Sequence, residues 1–237
     1  MFKNHCRFPV DAALKQITNY EETINHVESV LRMHDAGSGA EALYILLSAC
    51  HSLRGIAYKQ ERHHLPRQQY HQRWRWAELL GNPHAKNRGI SGDTTQGVLD
   101  RLSTITKGKP SKIFLLIGTN DFARGKSVDE VAKNVEKIVE RVKRESPATK
   151  LYVQSVFPVN PKFNKFSGHM DRKKDIPALN AKIKAVAARH GVTYIDVYNS
   201  LVIPSTDVMN PEYTNDGLHL LGKGYLKWVE VLKPYLK

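Results

Sequence analysis

From residue 76 to the C-terminus, apolar and polar positions follow two rhythms in turn, one suited to buried strands and one to amphipathic helices. Lys112 to Ile117 is a short apolar run closed by Gly118, the length of a strand buried on both faces. Val131, Val135, Ile138 and Val142 then recur at helical spacing, which predicts a helix from Val128 with one face toward a core. Ser127 precedes it with Glu130 three residues on, the pairing in which each side chain satisfies the other's free backbone N–H. Leu151 to Val156 reads as the next strand, Ile176 to His190 as a helix stopped by Gly191, and Val192 to Val197 as a further strand. Lys223 to Leu236 closes the chain as a helix with Trp228 and Val229 inward, and Thr94 to Thr106 reads as an earlier helix capped by Asp93. Strands alternating with helices predict an α/β fold around a parallel sheet.

Two segments break the rhythm. Phe157 to Lys174, with Pro158, Pro161 and Gly168, is a loop of the length that carries function, and substrate selection is expected there. Residues 1–75 show weak periodicity, although Ala40 to Leu53 is apolar enough to form a helix. Both cysteines, Cys6 and Cys50, and seven of the eleven histidines lie in this part. The domain organisation that follows is an atypical N-terminal segment over 1–75 and a regular domain over 76–237.

Composition narrows the function classes. With 237 residues, 41% of them hydrophobic, the chain can bury its own core, which excludes a disordered or fibrous protein. Two cysteines exclude a disulfide framework and a paired Cys-x-x-Cys zinc site. No stretch approaches the roughly 20 apolar residues of a membrane span. The first 20 residues lack the basic start and apolar run of an export signal, so a cytoplasmic location is expected for the chain as written. The net charge of +13 is spread over the regular part: residues 1–75 hold 10 basic and 7 acidic side chains, the rest 26 and 16. Acids are interspersed, as in Glu136, Lys137, Glu140, Arg141 and Arg144, and no basic stripe carries aromatics. That is a solvated basic face, and nucleic acid is not an expected partner.

Three polar motifs fall where such a fold places its sites, at the carboxyl ends of strands. In Asn87-Arg-Gly-Ile-Ser-Gly-Asp-Thr-Thr95, Gly92 lets a backbone N–H approach a ligand at the start of a helix. Gly118-Thr-Asn-Asp121 directly follows an apolar strand and brings the Asn120 amide to its end. In Asn215-Asp-Gly-Leu-His219, Asp216 is spaced to orient the His219 imidazole as a general base. Each alone reads as a turn or a cap; the ordered set says more.

From Trp76 onward the set resembles the SGNH, or GDSL-like, family of esterases and lipases. In the Asn87–Thr95 and Asp216–Leu220 blocks it is most similar to bacterial carbohydrate-type acetylesterases and brain-type platelet-activating-factor acetylhydrolase catalytic subunits. The resemblance implies a three-layer αβα sandwich with a central parallel, flavodoxin-like sheet, and hydrolysis of a carboxylic ester without metal or cofactor. It assigns an oxyanion hole to the Gly92 backbone N–H and the Asn120 side chain, the general base to His219 and the orienting carboxylate to Asp216. The substrate it implies is a small ester, with an acetylated carbohydrate among the candidates.

One part of the family pattern is missing. A strand ending in Gly-Asp-Ser or Gly-Asn-Ser should precede Trp76, yet residues 60–76 contain no serine and no apolar run. A reading shifted by one nucleotide accounts for it. Codons for Arg67 to Arg75 can be chosen so that the shifted frame spells Gly-Asn-Ser-Ile-Thr-Asn-Gly-Gly, and those for Glu61 to Pro66 so that it spells Ser-Val-Ile-Ile-Phe-Leu. The same shift at Tyr20 to Thr23 permits Met-Lys-Lys, the usual opening of a bacterial export signal, which allows an exported or periplasmic parent protein. The expectation is therefore an SGNH domain with an out-of-frame N-terminal segment, lacking its nucleophile; a non-catalytic ligand-binding protein and a genuine N-terminal extension are the alternatives.

Overall fold

The computed structural model describes residues 43–47 and 76–236. The shifted-frame readings at 20–23 and 61–75, and both cysteines, lie outside the described residues.

Five strands form one sheet: β1 (Leu43–Leu47), β2 (Ala85–Asn87), β3 (Lys112–Leu116), β4 (Lys150–Gln154) and β5 (Thr193–Ile195). They lie in the order β2-β1-β3-β4-β5 and every pairing is parallel. This is the flavodoxin-like order. The chain winds one way from β1 to β2 and the other way through β3, β4 and β5, so the carboxyl ends of β1 and β3 flank the crevice where such sheets bind ligands.

Helices cover both faces. Along β3, Ile113 and Leu115 enter one core while Phe114 and Leu116 enter the other, the alternation of a strand buried on both sides. The first core is closed by α2 (Thr95–Arg101), α3 (Ser103–Thr106), α5 (Val128–Glu145) and α7 (Asp175–Arg189); the short α4 (Thr119–Ala123) lies at the end of β3. Val131, Val135, Ile138 and Val142 are the buried face of α5, as the spacing predicts, and each contributes roughly 1.5–3 kcal/mol of apolar burial. The Ser127–Glu130 capping box is present. The opposite core is closed by α1 (Trp76–Leu79), by Leu201 of the short α8 (Tyr198–Leu201) and by α9 (Gly222–Leu232), where Trp228 packs edge-on against Trp76 and Phe157. The result is the expected three-layer αβα sandwich. Among the described residues, no helix is long and apolar enough to cross a membrane.

Three local expectations change. Within the apolar stretch 40–53, Leu43–Leu47 is a strand rather than helix: it pairs with β2 through Leu43↔Ala85 and with β3 through Leu43↔Lys112 to Leu47↔Leu116. Five apolar residues satisfy either geometry locally, and two neighbours offering unpaired N–H and C=O groups decide for the strand. The helix after Asp93 is capped by Thr94, whose side chain accepts from Gly97 N–H, and is broken at Leu102. Asp93 instead accepts from Thr94 N–H and from Arg101 about two turns on. The segment 157–174 also has structure of its own, a 3₁₀ turn (Pro161–Phe163) and α6 (Ser167–Met170).

Candidate active site

The final polar block folds into a tight bend before α9. Asp216 Oδ1 accepts from the backbone N–H groups of Leu218, at 2.9 Å, and His219, at 2.8 Å, which leaves Oδ2 aimed at the imidazole. His219 Nδ1 lies 2.6 Å from that oxygen. Burial pushes the Asp216 carboxyl up, but the N–H groups of His219 and Leu218 and the imidazole outweigh it, and the carboxyl sits below its ordinary value. Asp216 therefore stays ionised and holds the ring with Nε2 outward. The bend depends on Gly217, at φ +83°, whose carbonyl accepts from Asn160 N–H at 2.8 Å. A Cβ there would lie 2.1 Å from the Asn160 carbonyl oxygen.

Asn120 is reached from β3. The strand ends at Leu116, Gly118 turns the backbone at φ +128°, and α4 starts with Asn120 in its first turn. The Asn120 amide N–H₂ donates to the Asp93 carbonyl at 2.8 Å, which ties this block to the one containing Gly92. A second tie lies beneath. Asp121, 2% exposed, accepts from Thr95 Oγ1 at 2.6 Å and from Thr95 N–H, while Thr95 Oγ1 accepts from Asn134. Burial raises the Asp121 carboxyl above its ordinary value against those hydrogen bonds and the nearby Arg124. Gly92 itself has φ +75°, and its carbonyl accepts from Arg124 at 2.7 Å. Two blocks 27 residues apart are thus bolted together at the start of α2.

Two residues of the 157–174 segment complete the site, and sequence reasoning missed both. Phe166, 42% exposed, sets its ring edge-on to His219 at 5.1 Å between centroids and to His169 at 6.1 Å. His169 Nε2 lies 3.2 Å from Asn120 Oδ1. Burial, and then the nearby His219, lower the His169 imidazole below its ordinary value. Phe166 and His169 link Asn120 to His219, so all four expected site residues, Gly92, Asn120, Asp216 and His219, belong to one neighbourhood at the carboxyl ends of the strands. Among the described residues, no serine or cysteine is hydrogen-bonded to His219, and Glu136, Glu140 and His190 are the group whose donor atoms could share a metal ion. Arg189 and His190 already engage Glu136, on helices away from this site.

An imidazole oriented by a carboxylate, linked through Phe166 and His169 to a carboxamide in a crevice between parallel strands, has the parts of a general base and a hydrogen-bond donor. Known proteins share the sequence pattern and the fold. The sequence profile of the GDSL-like Lipase/Acylhydrolase family matches residues 60–227. Platelet-activating factor acetylhydrolase IB subunit alpha2 of Rattus norvegicus is 31% identical over 161 residues, covering 67% of this chain and 66% of that protein. The chain thus spans just under two thirds of the curated relatives it matches. A solved structure from Streptococcus pneumonia, named for platelet activating factor, superposes with a TM-score of 0.66 at 26% identity, over 96% of this chain and 99% of that one. A GDSL-like lipase from Bacteroides thetaiotaomicron gives a TM-score of 0.58 at 28% identity, over 64% and 74%.

Proposed function

The chain belongs to the GDSL-like lipase/acylhydrolase family, and from that membership we propose a site built to hydrolyse a small carboxylic ester, an acetyl ester of a carbohydrate or similar alcohol, in a chain that lacks the attacking serine. The observation that carries the reading is the 2.6 Å contact between Asp216 Oδ2 and His219 Nδ1 beside Asn120. In the complete reaction a serine hydroxyl passes its proton to His219 Nε2 as its oxygen bonds the acyl carbon. The resulting oxyanion is held by Gly92 N–H and Asn120. His219 then protonates the departing alcohol, and water repeats the sequence to release the acid. Each oxyanion donor is worth about 3 kcal/mol in such a transition state. The acetylhydrolase name of the rat relative favours a short acyl group, and the exposed Phe166 ring beside the base offers an apolar face to a sugar or a short chain.

The serine block is what the sequence lacks between residues 60 and 76. Without it, only binding and oxyanion effects remain, roughly 10³ to 10⁴ over water in serine hydrolases. Assay of the purified chain on 4-nitrophenyl acetate should show a trace only. Turnover near ~10 s⁻¹, abolished by a serine-directed phosphonate, would overturn the missing-nucleophile reading and direct attention to Ser48 or Ser52. The absent serine also favours a second reading, a non-catalytic ligand-binding protein. Sequencing the gene across codons 15 to 80 separates the two: an open shifted frame supports the damaged enzyme, and stop codons in it support the binder.

A further inference from the structure

The geometry points to His169 as a positioning residue that fixes the Asn120 amide, and so aims the oxyanion donor of the ester-hydrolase site on whose reading this inference rests. The argument starts at Asp93. A backbone carbonyl can only accept, so the end of the Asn120 amide 2.8 Å from Asp93 O must be its N–H₂. That leaves Asn120 Oδ1 toward His169 Nε2, at 3.2 Å. An amide oxygen also only accepts, so the imidazole nitrogen facing it carries the proton, and the ring is the Nε2–H tautomer. One contact at each end stops rotation about the amide's terminal torsion, which is otherwise broad. A donor held in place before reaction costs no reorganisation when charge develops.

The surroundings hold His169 itself. It lies on α6, anchored by the buried Met170 and packed on α4, where a Cβ at Gly168 would lie 3.6 Å from the Ala123 carbonyl oxygen. The Phe166 ring stands against both imidazoles. Burial and the neighbouring His219 favour the neutral ring. A neutral Nε2–H donor serves Asn120 without placing a second cation beside the base. Residue 169 thereby gives the long segment after β4 a role in catalytic geometry.

The test uses the full chain labelled with ¹⁵N. Long-range ¹H–¹⁵N correlation reads the His169 tautomer, hydrogen exchange follows the Asn120 side-chain N–H₂, identified by its loss in Asn120→Ala, and acetate, the product anion, probes the oxyanion site. We expect the Nε2–H tautomer, Asn120 amide exchange about tenfold faster in His169→Ala, and acetate binding about fivefold weaker there, as for one lost hydrogen bond. His169→Gln, which returns an N–H donor at similar reach, should restore both. An Nδ1–H tautomer in the unaltered chain overturns the assignment even if His169→Ala fails to fold, as does unchanged Asn120 exchange in a folded His169→Ala. Faster exchange in a chain that binds no acetate leaves His169 as the amide's support and removes the ester-hydrolase reading instead.

Discussion

Two glycines at positive φ separate conformational cost from collision. Among the described residues, Gly92 at φ +75° has only an Arg124 side-chain nitrogen, 3.8 Å away, near an added Cβ. Gly92→Ala should therefore cost about 1 kcal/mol from the backbone alone. At Gly217 the same substitution adds a collision with the Asn160 carbonyl oxygen at 2.1 Å, and backbone cannot step aside as a side chain can. Gly217→Ala should cost about 3 kcal/mol or more, read as a shift of the urea midpoint, and should separate Asp216 from His219. Asp216 gives a pH-dependent counterpart. Its carboxyl is depressed in the folded chain, so its contribution is complete above the unfolded value of about 3.9 and fades as pH falls through the lower folded value. Asp216→Ala should lose about 1–2 kcal/mol at pH 7, and the gap to the parent chain should narrow steadily in urea titrations as the pH is taken below the unfolded carboxylate value. The dyad was legible in the sequence because three-residue spacing suffices to bring a carboxylate under an imidazole. His169 was not: a lone histidine in a loop carries no spacing signal, and its partner Asn120 is 49 residues away.

The same limit operates on whole elements. Helix α5 could be placed from sequence because 18 residues give its apolar stripe several turns to repeat and its cap is written in side chains. Strand β1 could not, because five apolar residues contain too little period to choose between helix and strand; its two neighbours make the choice. Strand β2, three residues with one buried, has no apolar run at all and exists through its pairing with β1. Between them, β1 and β3 frame the crevice, so a strand that its own sequence leaves ambiguous helps to define the site. This assignment has a direct test. Backbone amides of Leu43–Ile45 should exchange as slowly as those of Ile113 and Leu115, since a segment paired on both edges opens only with the sheet. Ile45→Pro, which removes a ladder N–H from that strand, should abolish a cooperative melt. Rapid exchange over 43–45 would mean that another segment, or none, lies between β2 and β3.

For the molecule as a whole, the two readings of the N-terminal segment meet at that slot in the sheet. The shifted frame of residues 61–75 can spell an apolar strand followed by Gly-Asn-Ser, and such a strand would need the position between β2 and β3 that Leu43–Leu47 occupies. Restoring the block within the full chain would set two segments in competition for one set of partners. Removing residues 1–60 as well takes the competitor away. We predict that a chain starting with Ser-Val-Ile-Ile-Phe-Leu-Gly-Asn-Ser-Ile-Thr-Asn-Gly-Gly plus one residue before Trp76 melts cooperatively, because the restored strand satisfies the ladder groups of β2 and β3 that would otherwise be buried unpaired at about 1–3 kcal/mol each. Its serine would stand at the carboxyl end of a central strand, where His219 can take the proton and Gly92 and Asn120 can hold the oxyanion. Hydrolysis of 4-nitrophenyl acetate should then rise by orders of magnitude over the present chain, and His219→Ala should return it to the trace. The full-length chain carrying the same repair should melt less sharply and turn over less, in proportion to the fraction in which β1 holds the slot. If the short repaired chain folds cooperatively and cleaves no acetyl or short-chain ester, then an intact serine, base and oxyanion pair on this scaffold do not make an esterase, and ligand binding becomes its function.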